Sequence, residues 1–415
     1  MSADQLAETV RIEGRNVLAT LIRTVGHLQV AEDAVQEAVV AALRTWPRTG
    51  VPDNPRAWLT VTARHKAYDL LRREAARPAK ETAAGWGTPE LSADPLAEVI
   101  EMAEPESVLQ HDLLRLVFTC CHPALGREAQ VALALRTLVG LEVDAIARAF
   151  LVEEATMAKR LVRARRKIAD ARIPYRVPDD SELPDRLPAV LAVVYLIATE
   201  AHAPSSGDLP VRIDLETEAV RLARLLVDLM PDEPEVQSLL ALLLLTTARR
   251  PARIDGSGNP VLLPHQDRDL WDRAAITEGS SRLANAVHRT GGVAGPYQLR
   301  AHLAACHSTA ASWTDTDWDR IVALYDLLLV LGANPFVALN RAVAVTERDG
   351  PVAGLDALDA IDGLAGSHLW HAARADALGR VGRLDEARDE LVLAHDAAPT
   401  GPEQRLLAGR LAAIS

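Results

Sequence analysis

Cysteine is scarce in this chain of 415 residues. The three present, Cys120, Cys121 and Cys306, exclude a disulfide framework, because two are adjacent and cannot readily adopt bridging geometry. Long apolar runs are missing as well. No uninterrupted stretch of about 18 apolar residues occurs, and the N-terminus lacks the basic-then-apolar pattern of a secretion signal. A cytoplasmic protein with no membrane insertion is the expectation. Also lacking are a Gly-rich phosphate loop, a His-Glu-x-x-His pair and a Gly-x-Ser-x-Gly elbow, so a non-catalytic chain with no cofactor is expected.

A surplus of positive charge is absent overall, since the net charge is -12. The balance is uneven along the chain. Residues 1–175 hold 23 basic and 23 acidic side chains, so the entire deficit falls on the remainder. Within the neutral front part, residues 56–80 carry seven bases against two acids, and residues 151–175 carry seven against three. Local surpluses of this kind attract phosphates even in an acidic protein. Residues 81–112 hold eight acids and no Lys or Arg, as suits a connector that avoids DNA. Taken alone, either basic run is equally an ordinary solvated helix face.

Hydropathy patterning predicts an all-α chain. A first helical module spans residues 8–76, where VAEDAVQEAVVAALRTW places Ala34, Val35, Ala38, Val39 and Ala42 on one side. Glu32, Asp33, Gln36 and Glu37 supply its polar surface. Pro47, Gly50, Pro52 and Pro55 break that helix, and Pro55 suits the first turn of the next. In this next helix Trp58, Leu59, Val61, Thr62 and Leu70 form a packed side, leaving Arg64, Lys66, Arg72 and Arg73 for a phosphate-bearing partner.

An acidic linker over 77–107 leads to a second module, 108–173. A break at Gly140 precedes a short helix with Val143, Ile146, Ala147 and Phe150, then a turn and a basic helix. This is helix-turn-helix order, in which one helix braces another in a major groove. Ala155, Ala158, Leu161, Val162 and Ile168 are expected inside. Thr156, Lys159, Arg160, Arg163, Arg165, Arg166 and Lys167 are expected to face DNA bases and phosphates.

The two modules in this order resemble the extracytoplasmic-function class of bacterial sigma factors. AEDAVQEAVVAALRTW resembles the region-two helix that docks on RNA polymerase, which implies core-polymerase contacts for Asp33, Gln36 and Glu37. AWLTVTARHKAYDLLRR resembles the part that captures the minus-ten element. That implies promoter contacts for Arg64, His65, Lys66, Asp69, Arg72 and Arg73, although many relatives have Asn where this chain has His65. GLEVDAIARAFLVEEATMAKRLVRARRKI resembles region four, the minus-thirty-five reader. There Ala158-Lys159 replaces a frequent Lys-Ser pair, while Arg160, Arg163 and Arg165 fit. The resemblance implies a sigma factor that directs bacterial core RNA polymerase to promoter DNA. A DNA-binding scaffold without initiation activity is the alternative.

Residues 176–415 read as a large helical repeat-like domain, with LPAVLAVVYLIATEAH, LETEAVRLARLLVDLM and EVQSLLALLLLTTARR separated by breakers. Near the end, Ala375, Leu378, Gly382, Ala387, Leu391, Ala394 and Pro399 fall where a tetratricopeptide repeat wants small residues, a turn and a terminal Pro. With FTCCHPAL, RIDGSGNPVLLPHQDRDLWD and NRAVAV, this part resembles the C-terminal extension of a tetratricopeptide-bearing sigma subgroup. A regulatory protein or an intramolecular contact is its implied partner. Asp267, Arg268, Trp271 and Asp272 form a candidate interaction site, read either as an Arg-carboxylate network beside a tryptophan, with or without a bound peptide, or as a carboxylate-rich pocket for a cation or acid-base chemistry. The Cys-His pairs lack zinc-site spacing, so packing is expected there and no metal.

Overall fold

The computed structural model describes residues 3–26, 28–76, 106–150, 152–171, 173, 175–178, 181–204 and 209–414. The side chains of residues 3–8, 11, 12, 15, 73–76, 106–111, 139, 148 and 149 are excepted. Most of the acidic linker expected over 77–107 lies outside these residues. The chain divides into two compact units, Met1–Val193 and Val194–Ser415. The described residues are helical apart from turns and one isolated β-bridge between Ile254 and Pro260.

The first unit begins with α1 (Ala3–Val25), α2 (Leu28–Thr49) and α3 (Pro55–Ala76). Alanine lines much of their shared interior. Ala31, Ala34, Ala38 and Ala42 of α2 and Ala57, Ala63 and Ala67 of α3 are buried against Val17, Leu21 and Ile22 of α1. Small side chains let helix axes approach closely, and Trp46 and Trp58 close one end edge-to-face at 5.4 Å. Pro55 occupies the first turn of α3 as its sequence suggests. Asn54 Oδ1 accepts from the N–H of Ala57 at 3.0 Å, capping the helix.

The helices α4 (Glu106–Cys120), α5 (Arg127–Ala134), α6 (Val143–Ala149) and α7 (Glu154–Asp170) follow. A turn of π-helix over Leu135–Val139 extends α5 and stops at Gly140, whose φ of 74° lies in the left-handed region. Met157, Leu161, Ala164 and Ile168 are the buried side of α7. Sequence patterning assigned Ala155, Ala158 and Val162 to that side. Instead Ala155 is exposed and Val162 is 62% exposed, because α7 is rotated so that the stripe beginning at Met157 meets α5 and α6. The boundary between the units falls inside α8 (Leu183–His202).

In the second unit, α9 (Ile213–Leu229) precedes α10 (Pro234–Thr247), in which every residue from Val236 to Leu245 is buried. A helix apolar on all sides belongs in a core, and each buried leucine contributes about 1.5–3 kcal/mol as an upper estimate. Around α10 pack α11 (Arg273–Arg289) and α12 (Pro296–Thr309). The Glu235 carboxylate at the start of α10 accepts from the N–H groups of Tyr297 and Gln298 at 2.9 and 3.1 Å, capping α12 from another helix. A Cβ at position 295 would lie 2.3 Å from that carboxyl carbon, so a larger residue there would push the capping carboxylate aside. Helices that each pack on the next complete the unit: α13 (Trp318–Leu331), α14 (Pro335–Asp349), α15 (Pro351–Asp359), α16 (His368–Arg380), α17 (Leu384–Ala397) and α18 (Gly401–Ile414). Ala375, Leu378, Ala387, Leu391 and Ala394, the small and apolar positions noted in the sequence, are all buried between α16 and its neighbours.

Candidate polymerase and nucleic-acid interfaces

On α2, Asp33, Gln36 and Glu37 lie on the exposed side within about one turn. Glu37 pairs with Lys66 of α3 at 3.3 Å, with both side chains nearly half exposed. Such a pair holds little energy and is readily exchanged for a partner. Glu32 behaves differently. Sequence patterning placed it on the polar surface, yet it is buried, with Oε2 2.6 Å from Arg165 Nε and Oε1 3.1 Å from the Thr137 hydroxyl. Its position explains the burial: it follows Leu28 by four residues and precedes Val35 by three, which places it on the inner stripe.

Along α3, Arg64, His65, Lys66 and Asp69 are half-buried and Arg72 is exposed, donating to Asp69 at 2.6 Å. The helix therefore carries four bases and one acid on its partly open sides. The side chain of Arg73 lies outside the described residues.

Basic residues of α7 divide into two groups. Thr156, Lys159, Arg163, Arg166 and Lys167 are exposed. Arg160 and Arg165 are held inward: Arg160 pairs with Glu128 at 2.9 Å and lies 5.8 Å from the centroid of Phe150, while Arg165 pairs with Glu32. Beside α7, Arg127, Glu128, Arg160, Arg163 and Lys167 line a groove of about 440 Å³ that also takes in Gly126, the uncapped residue before α5. Backbone N–H groups at that helix start and four cations together favour an anion. The start of α5 and the basic α7 thus present one positively charged edge.

Sequence reasoning gave no sign of a second polar lock in this unit. Asp112 on α4 is fully buried between Arg23 at 3.0 Å and Arg115 at 2.7 Å. Burial raises its pKa, and the two arginines oppose that rise. The Tyr175 hydroxyl lies 2.8 Å from the Ala19 carbonyl and 2.7 Å from that of Asp112, pinning the segment after α7 to α1 and α4. Nothing local in the sequence marks these long-range partners.

In the second unit, Asp267 and Asp272 cap helical turns by accepting from the N–H groups of Asp269 and Ala275. Arg268 turns away from both. Its guanidinium donates to the carbonyls of His307 and Ala310 at 2.9 and 2.7 Å and lies 4.4 Å from the ring centroid of Trp271. The four residues are neighbours, but the arginine is held by helix-end carbonyls. The cysteines are all buried free thiols, and burial raises the pKa of each. His122 Nδ1 accepts from the N–H of Ala124, and no three His, Cys, Asp or Glu residues among those described converge on a point suited to a metal.

Comparison with known proteins agrees with this geometry. Residues 9–77, which cover most of α1 and all of α2 and α3, match the sigma-70 region 2 family. Residues 186–287 match a family of unknown function, DUF6596. An uncharacterized protein of Rhizobium meliloti is 43% identical over 376 residues, spanning 89% of this chain and 86% of the relative. The chain belongs to the family of that protein. Its first three helices carry the sigma-70 region 2 match. SigI of Mycobacterium tuberculosis, described as a probable ECF RNA polymerase sigma factor, is 31% identical over 152 residues, covering 36% of this chain and 50% of SigI. No solved structure matches. Among the described residues, no helix is long and apolar enough to cross a membrane.

Proposed function

We propose that this chain is a sigma factor that directs bacterial core RNA polymerase to promoters and assists their opening. The observation that carries the reading is the sigma-70 region 2 match over residues 9–77, on three helices whose exposed side presents Asp33, Gln36 and Glu37 beside the basic row of α3. In this reading α2 docks on polymerase. Arg64, His65, Lys66, Asp69 and Arg72, with Arg73, hold the minus-ten element, where capture of unstacked bases offsets the cost of opening. The helix-turn-helix of α6 and α7 sits in the upstream major groove. Lys159, Arg163, Arg166 and Lys167 reach phosphates first, with Thr156 near the base edges. Arg160 joins them at the groove beside α5. Arg165 reaches DNA only when its pair with Glu32 opens. The helical hairpins from α13 onward serve as a tetratricopeptide-like surface for a regulatory protein or an intramolecular contact.

Reconstituted transcription with core polymerase tests these roles separately. Substituting Asp33 and Glu37 by alanine is expected to weaken polymerase binding, with duplex binding by the free chain unchanged. Arg163→Ala is expected to weaken duplex binding and leave polymerase binding intact. Duplex binding without any chain-dependent initiation would favour a DNA-binding scaffold instead.

A further inference from the structure

Arginines buried in this protein usually meet a carboxylate. Arg165 has Glu32, Arg186 has Glu182 at 3.0 Å, Arg221 has Glu218 at 2.6 Å and Arg374 has Glu390 at 2.9 Å. One cluster in the second unit breaks this pattern. Where α10 ends, Arg249 and Arg253 meet Arg268 of the irregular segment that precedes α11, and among the described residues none of the three has a carboxylate within 4.0 Å. Arg250, their immediate neighbour, takes Glu216 at 2.9 Å.

The hydrogen bonds that do exist leave donors over. Arg253 donates to the Nδ1 and the carbonyl of His202 at 2.7 and 3.0 Å, so that ring is a neutral acceptor and no counter-charge. Arg268 spends one terminal nitrogen on two carbonyls, and its other is buried without a partner. Arg249 makes no side-chain hydrogen bond, and its Nε is buried. Nearby, the Nε1 of Trp271, in a residue 3% exposed, and the Nδ1 of His307 are likewise buried and unpartnered. Burial and mutual repulsion lower the pKa of Arg249 to about 10 and that of His307 to about 4. A cation held partly out of water with no carboxylate in contact is costly, and three close together add to the cost. The segment bearing two of them, RIDGSGNPVLLPHQDRDLWD, is a long stretch without an α-helix, folded by short turns and the Ile254–Pro260 bridge, a kind of loop that commonly serves binding.

We propose that Arg249, Arg253 and Arg268 form a binding site for a small oxyanion-bearing molecule, whose phosphate or carboxylate group supplies the direct partner that Glu216 and Asp315, acting on Arg253 and Arg268 only from beyond 4.0 Å, do not. Planar guanidinium forks bind such groups bidentately, and the three arginines are half-buried, so solute reaches them. Trp271, packed under Arg268, and His307, ring-stacked with Trp313, wall the site with aromatic surface. Occupancy would tie the end of α10, the irregular segment and the end of α12 together, a ligand input into the second unit that is independent of the reading of the N-terminal helices.

The test is thermal unfolding and calorimetric titration of the full chain with inorganic phosphate and, separately, with succinate, at an ionic strength held constant with sodium chloride. Binding at 100 times Kd is expected to raise the melting temperature of the second unit by about 5–10 °C. Whichever anion acts alone, or more strongly, identifies the group recognised. Arg249→Met is expected to abolish the shift and, without ligand, to melt no lower than the parent chain, because it removes an unpaired buried charge. Arg224→Met, remote from the cluster on the exposed side of α9, should keep the shift. No shift with either anion, a shift retained by Arg249→Met, or failure of Arg249→Met to fold would each overturn the proposal, the last by showing that the guanidinium is already satisfied without a ligand.

Discussion

Removing Arg165 isolates the Glu32 carboxylate in a place where water scarcely reaches it. Side-chain exposure is 20% for the arginine and 10% for the glutamate, and after Arg165→Met only the Thr137 hydroxyl remains to solvate the charge. Breaking a buried pair from one side costs about 3–5 kcal/mol, and the residual exposure brings the expectation here to about 2–4 kcal/mol. Replacing both partners, with Glu32→Leu and Arg165→Met, removes the charge and its cage together. The double variant should lie within about 1 kcal/mol of the parent, giving a coupling of roughly 2 kcal/mol or more. Urea unfolding of the parent, both single variants and the double variant closes the cycle. Hydrogen exchange in α2 and α7 assigns the effect to the first unit. Single variants that each cost under about 0.5 kcal/mol, or that add without coupling, would refute the reasoning.

Other expectations follow from the same geometry. Glu235→Ala uncaps α12 from across the unit and should cost about 1–3 kcal/mol, and Gly295→Ala, which drives a Cβ into that carboxylate, should destabilise comparably. Chemical denaturation checks both, and a change under about 0.5 kcal/mol at either would contradict the capping role. His307 is held neutral by burial beside Arg249 and Arg268, with its pKa lowered to about 4 from 6.5. Its folded value lies below its unfolded value, so its contribution is constant above pH 6.5 and stability is lost as pH falls from 6.5 towards 4, by roughly 2–3 kcal/mol. Melts of His307→Gln against pH should lack that loss, and parallel curves for the two proteins would rule it out. Arg163→Ala should reduce the slope of log affinity for duplex against log salt by about 0.9, the share of one phosphate contact. Anisotropy titrations at several salt concentrations measure it, and an unchanged slope would remove Arg163 from the phosphate contacts.

Much of the helical frame is legible in the sequence because its signals are local. Pro55, the break at Gly140 and the small residues from Ala375 to Ala394 each state their own structural role within one or two turns. The inner face of α7 is less legible, since its apolar residues fit two adjacent stripes and only packing against α5 and α6 selects the one through Met157. Burial of Glu32 was present in the spacing from Leu28 and to Val35, but its partner stands 133 residues away and no periodicity reports such a distance. The same holds for Asp112 with Arg23 and Tyr175. Of the candidate contact residues, the sequence supplies the charge and the helix, while the division of α7 into exposed and ion-paired arginines emerges only in three dimensions. The arginines at the end of α10 illustrate the reverse problem: their charge is plain in the sequence, and the absence of any carboxylate within salt-bridge distance of them is not.

Mapping of RNA 5′ ends from genomic DNA transcribed by core polymerase, with and without the full chain, tests the central claim most directly. The account predicts start sites that arise only when the chain is present, share upstream and minus-ten elements, and are lost when Asp33 and Glu37 are both replaced by alanine. Start sites identical to those made by core polymerase alone would contradict it.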